Sequence, residues 1–278
     1  VSVSDTVTID ASAYAQDLTI ILHGGVDIVT LGTGNDTLLG GVSTGDIINL
    51  GAGDDSFALT SLAAVTVDAG IALDTLVIGM GAGSRQVDFS NVVDQLSGIG
   101  TYLNFENLLA ADANGQLSVI AGDGTTNITT GSKIDQVDAG FADQGVSITT
   151  GASGDAVIGS AHDDTIDGGS GDDSIAGGAG DDALLGGQGN DTFVFDTALN
   201  GSTNVDTLND FVSGSDVFDL RLDIFSALQA TDGVLNANNF KAGAGAVATT
   251  GTQHIIFDTG SGSLFYDADG SGGIAQIE

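Results

Sequence analysis

The chain has 278 residues and a formal net charge of −34, with 38 acidic residues against four basic ones, and 44 glycines but no proline, cysteine or tryptophan. That balance excludes nucleic acid and anionic membrane as electrostatic partners, and the lack of cysteine excludes disulfides as the stabiliser. At 41% hydrophobic residues in ordered periods the chain is not a disordered polyanion but an acidic protein awaiting cations, with no apolar run of 18 residues to insert into a membrane.

The length permits one large domain or two to three modest ones, and a start at Val1 without a basic-then-apolar leader reads as a fragment or processed product. Residues 1–83 begin with alternating Val1, Val3, Val7 and Ile9 and settle into a ladder of apolar residues, Ile20, Val29, Leu38, Ile48, Phe57, Val67 and Leu76, spaced by nine or ten. Two residues before rungs of this ladder stand Asp27, Asp36, Asp46, Asp55 and Asp74, within turns such as GTGND and GAGDD. A nine-residue period is too short for a helix pair and too long for strand alternation alone, so each unit is one turn and one short strand of a stacked solenoid. This first, imperfect β-roll carries extra residues around 42–44 and 61–64, where its turns should bulge.

Residues 84–116 break the period. Phe89, Val92, Val93 and Leu96 fit a short amphipathic helix, followed by an extended TYLNFENLL, and the segment is expected to connect the blocks and cover an end or edge of the solenoid. The ladder resumes over 117–194 with Val119, Ile128, Val137, Ile148, Val157, Ile166, Ile175, Leu184 and Phe193. Thr126 and Val146 take the place of aspartate in early turns, although Asp135 keeps it. A metal-poor start is thus expected to lead into a metal-rich portion from about residue 150, with Asp155, Asp164, Asp173, Asp182 and Asp191.

The centre of that portion reads GGSGDDSIA, GGAGDDALL, GGQGNDTFV over Gly168–Val194, three tandem copies of GGxGxDxUx with U a large apolar residue. This resembles the repeats-in-toxin (RTX) family of secreted calcium-binding proteins. Two nonapeptides complete one coil, so Asp155, Asp173 and Asp191 stack on one side and Asp164 and Asp182 on the other. The available ligands are carboxylates and turn carbonyls, hard oxygens that suit calcium. The resemblance implies that each ion is shared by the sixth-position Asp and the backbone carbonyls of two turns. Carried over, it assigns calcium sites to those five aspartates with the turn glycines Gly169, Gly171, Gly178, Gly180, Gly187 and Gly189, and weaker sites to Asp27, Asp36, Asp46, Asp55 and Asp74. His162 stands where a turn glycine belongs in GSAHDDTID, which counts against the Asp164 site.

Residues 195–278 are poorer in glycine and hold most of the aromatics. Their segments, among them TFVFDTALNGSTNVDTLNDF and DVFDLRLDIFSAL, resemble the serralysin-type C-terminal domain that caps β-rolls in type I secretion, which implies a β-rich cap with a role in export. Asp267–Glu278 fits an EF-hand loop by spacing, yet its flanks read as two strands of a hairpin. No HExxH occurs, His23, His162 and His254 lie far apart, and no catalytic residue is assigned.

The expectation is an all-β parallel β-roll in two tandem blocks with a β-rich cap, binding several Ca2+ ions. It is read as a non-enzymatic, extracellular, cell-surface structural protein resembling RTX-type surface-layer or fibre subunits, with itself and the type I secretion machinery as partners. The alternatives are the calcium-binding module of a larger exoenzyme, or an adhesin.

Overall fold

In the computed structural model the described residues are 6–59, 65–79, 85–88, 101–103, 105–111, 113, 115–198, 203–228, 230–231, 234–235, 237–260 and 263–267. They form an all-β parallel solenoid of about 11 turns. The chain winds so that each coil gives one strand to a long parallel sheet of ten strands, which opens with Thr19–Leu22 and closes with Thr207–Leu208. Opposite it lie a five-stranded parallel sheet between Thr8–Asp10 and Thr101–Leu103 and a seven-stranded parallel sheet between Arg85–Asp88 and Val217–Leu220. The long sheet therefore runs unbroken through both ladders.

The apolar residue of each nonapeptide builds this shape because it is the middle residue of a strand of three or four and points inward, while its neighbours point out. In register, Ile48 lies opposite Val67, Ile166 opposite Leu184 and Ile175 opposite Phe193. All the ladder residues from Val29 to Phe193 named above are buried in a single core. Ile20 alone is only half-buried, because its strand is the edge of the long sheet and no turn among the described residues covers it.

Where the period breaks, the coil changes section. Thr66–Asp68, Thr75–Ile78 and Arg85–Asp88 go successively to the five-stranded, the long and the seven-stranded sheet, and Thr101–Leu103, Asn107–Leu109 and Leu117–Ile120 repeat that order. These two central turns are three-sided, whereas the turns on either flank are two-sided. The extended reading of residues 101–109 matches two strands. The first is indeed the last strand of its sheet, but Asn107–Leu109 is an interior strand, with Leu108 between Leu76 and Ile128. Rather than lying over an edge, this part of the segment supplies rungs of the core, including Val87, Phe105 and Leu108. The helix expected around Phe89–Leu96 and the bulge at Ser61–Ala64 fall outside the described residues. At the other bulge Val42 turns inward and is buried, its N–H donating to the Gly40 carbonyl at 2.9 Å.

Coiling also continues past residue 194. Leu208 stacks on Leu184 and Phe218 on Phe193. Phe211 lies flat against Phe218 with ring centroids 4.5 Å apart and closes the end of the core. Beyond it a small second core of Phe225, Leu228, Ile255 and Tyr266 packs with a three-stranded sheet of Phe240–Gly243, Ile255–Asp258 and Leu264–Tyr266. Of the EF-hand-like segment only Asp267 is described.

Candidate metal centre

Each candidate aspartate occupies the last turn position before a strand, so parallel stacking places the aspartates of successive coils over one another. All ten are at most 2% exposed. One carboxylate oxygen plays the same part throughout, Oδ1 accepting the backbone N–H of the corresponding residue in the preceding coil. Asp173 does this for Asp155 at 2.8 Å, Asp191 for Asp173 at 3.0 Å, Asp182 for Asp164 at 2.8 Å, Asp55 for Asp36 at 2.6 Å and Asp74 for Asp55 at 2.7 Å.

The second oxygen separates the sites. In Asp36, Asp55, Asp74, Asp155, Asp173, Asp182 and Asp191, Oδ2 is buried with no hydrogen-bond partner. A buried charged oxygen left in that state is costly, so its neighbourhood is built for a group the protein itself does not supply. Asp164 is different, since Ser160, standing where most repeats have glycine, donates its N–H to Oδ2 at 2.5 Å and its hydroxyl to Oδ1 at 2.9 Å. His162 is exposed. Asp46 is likewise satisfied by the Ser43 N–H at 2.7 Å, and Asp135 by the Gly131 N–H at 3.2 Å.

The turns have the shape an ion needs. Gly169 and Gly171 have φ of 92° and 138°, and a Cβ on either would strike a backbone carbonyl, of Gly151 or Ser153, in the coil below. Gly178, Gly180, Gly187 and Gly189 repeat this geometry. A Cβ on Gly168 would lie 2.6 Å from Oδ2 of Asp173 and 2.9 Å from the Gly186 carbonyl oxygen, so the unpartnered carboxylate oxygen and a carbonyl share one small space. Among the described residues no three acidic, His or Cys side chains converge. Backbone carbonyls must therefore complete any ligand set, and that all-oxygen, irregular set suits calcium better than a transition metal. The residues present thus fit the ion.

Burial pushes seven of these carboxyls up, with like-charged neighbours adding to the effect in all but Asp164 and the accepted backbone N–H opposing it. Asp55, Asp155 and Asp182 are raised to about 7, Asp74 and Asp173 to about 6, and Asp164 and Asp191 are raised as well. Stacked turns are ~4.8 Å apart, where two ionised carboxylates repel by ~3 kcal/mol at an effective dielectric near 20. A dication in the row reverses that sign.

Three members of these rows were not singled out from sequence. Glu106 accepts the Asp74 N–H at 2.8 Å, Asp206 the Asp182 N–H at 3.3 Å and Asp216 the Asp191 N–H at 3.1 Å. They lie 32, 24 and 25 residues from their partners, so counting in nines misses them. The signal is the pair of an acid and an apolar residue two apart, Glu106 with Leu108, Asp206 with Leu208 and Asp216 with Phe218, which repeats the Asp173 and Ile175 spacing. The fifth turn position carries a second, exposed row, in which Asp172 accepts the Asn190 N–H and Asp163 the Asp181 N–H, both at 2.9 Å. Thr126, in place of aspartate, donates its hydroxyl to the side-chain oxygen of Asn107 at 2.6 Å, and Val146 is buried.

Residues 158–193 match the family model of the RTX calcium-binding nonapeptide repeat in four copies. Comparison with curated proteins gives no match. Calcium is thus the ion associated with the repeats that hold Asp164, Asp173, Asp182 and Asp191. No helix among the described residues is long and apolar enough to cross a membrane.

Proposed function

We propose that this chain is a secreted, calcium-loaded structural protein of a bacterial cell surface, a surface-layer or fibre subunit that folds on meeting extracellular calcium and then self-associates. The observation that carries the reading is the set of seven buried aspartate oxygens without partners, distributed along an unbroken roll. Where calcium is scarce, the rows of carboxylates oppose coiling and the chain stays exportable. Where calcium is plentiful, the ions neutralise the rows and the roll closes. Self-association is supported by an apolar column on the outer face of the long sheet, where Ile21 lies opposite Leu39 and Val77 opposite Leu109, with Ile21, Leu39 and Leu109 exposed.

The test is circular dichroism with and without a chelator, followed by negative-stain imaging in millimolar calcium. Calcium-dependent folding and an ordered lattice or fibre are expected; only monomers would remove the assembly step, and a fold indifferent to chelator would remove the switch. A second reading is the calcium-binding and export module of a larger exoenzyme. It draws on the small β-rich unit that follows the roll, with its own core around Phe225 and Tyr266, and on that region's resemblance to serralysin-type secretion domains. A protease or lipase domain encoded in the same reading frame would favour it over the structural reading.

A further inference from the structure

We propose that Glu106, which lies outside the glycine-aspartate repeats, joins Asp74 in a calcium site at the junction of the two ladders; this rests on the calcium reading above. Thr75–Ile78 and Asn107–Leu109 are neighbouring parallel strands with Asn107 opposite Thr75, so residues 74 and 106 meet at the mouths of adjacent turns. Glu106 takes the aspartate's role there, its Oε2 accepting the Asp74 N–H at 2.8 Å just as Asp74 Oδ1 accepts the Asp55 N–H at 2.7 Å. The Asp74 carbonyl in return accepts the N–H groups of Glu106 at 3.1 Å and Asn107 at 2.9 Å, which fixes the pair face to face.

A second, independent observation points to a ligand. Asp74 is 0% exposed and its Oδ2 has no partner, although Glu106 in the adjoining coil adds a further carboxylate instead of a donor. The longer side chain of Glu106 has room because residue 124 is glycine, where a Cβ would stand 3.2 Å from Glu106 Cγ. Two carboxylates, completed by backbone carbonyls, would form a hard-oxygen set of the kind calcium takes. An ion held here ties the two three-sided central turns to each other.

Calorimetric calcium titration of the full chain tests this through E106Q, which keeps an acceptor for the Asp74 N–H, and E106D, which keeps the charge but withdraws it by one methylene. E106Q is expected to bind one ion fewer than the wild type, or to bind it at least about tenfold more weakly, with E106D intermediate. Should E106Q fail to fold, the E106D titration decides alone. Isotherms of the folded variants that coincide with the wild type would mean that the pair shares a proton, and would overturn this site while leaving the calcium reading intact. A wild type that binds no calcium would overturn both.

Discussion

Replacing Asp173 by asparagine should change stability in opposite directions with and without calcium. Asp173 lies in the row between Asp155 and Asp191, accepting one backbone N–H through Oδ1 and leaving Oδ2 unpartnered next to the Gly186 carbonyl. Asparagine retains the Oδ1 acceptor and places an amide N–H beside that carbonyl. It also removes two carboxylate contacts of ~3 kcal/mol each at full ionisation. Asp155 is raised to about 7 and Asp191 is raised too, so the neighbours are partly protonated near neutrality, and solvent screens what remains. Roughly 2–3 kcal/mol of stabilisation is left for the metal-free variant at pH 8. In saturating calcium the same change removes a charged ligand; a ten- to hundredfold loss of affinity costs about 1–3 kcal/mol through linkage. Urea unfolding followed by circular dichroism, in chelator and in millimolar calcium, measures both values. Shifts of the same sign in the two conditions would refute the argument that the row is a repulsive stack awaiting a cation.

The metal-free chain should lose stability as pH rises. Carboxyls raised above their unfolded values, to about 7 for Asp55 and Asp182 and about 6 for Asp74, Asp173 and Asp206, contribute stability that is fully present below about pH 4 and is lost as pH passes 6 to 7. Thermal melts in chelator at pH 5 and pH 8 should show the higher midpoint at pH 5, and calcium should remove most of the difference. Ala72→Gly should raise stability by about 1 kcal/mol in denaturant unfolding, because Ala72 holds φ at 119° in a turn position where other repeats have glycine. Gly171→Ala should lower it by at least that much, since the new Cβ would meet the Ser153 carbonyl. Ser160→Gly removes the hydroxyl that donates to Oδ1 of Asp164 while leaving the backbone N–H on Oδ2, and should tighten an ion at Asp164 in the calcium titration.

The ladder of apolar residues was legible because it is strictly local: each nonapeptide contributes one strand, and Ile175 and Phe193 need only a count of nine to be placed inside. The aspartate rows were legible for the same reason. Position alone does not reveal which aspartates are satisfied, since that depends on a neighbour such as Ser160 or Ser43 turning its N–H inward. The three-sided central turns were hidden because their rungs, Val87, Leu108 and Val119, are held in line by pairing across coils rather than by equal spacing. Asp206 was hidden because a longer connection precedes it, and Asp216 because it is counted on from Asp206; only stacking on Asp182 and Asp191 places them.

The unpartnered oxygens are arranged in two groups. Asp36, Asp55 and Asp74 precede strands of the long sheet in the first half, whereas Asp155, Asp173 and Asp191 precede strands of the seven-stranded sheet in the second, with Asp182 on the long-sheet side. Between them the turns carry Thr126, Val146 and a satisfied Asp135, and the inward residues are as buried as elsewhere. Apolar burial stabilises these middle turns without an opposing stack of unpartnered carboxylates, so they need the ion least. On the proposed calcium reading the roll is a calcium-indifferent centre with a calcium-governed stretch on either side, and a coil formed at the centre offers both stretches a strand edge to build on. On that reading metal decides how far the winding extends, while the apolar period decides its form.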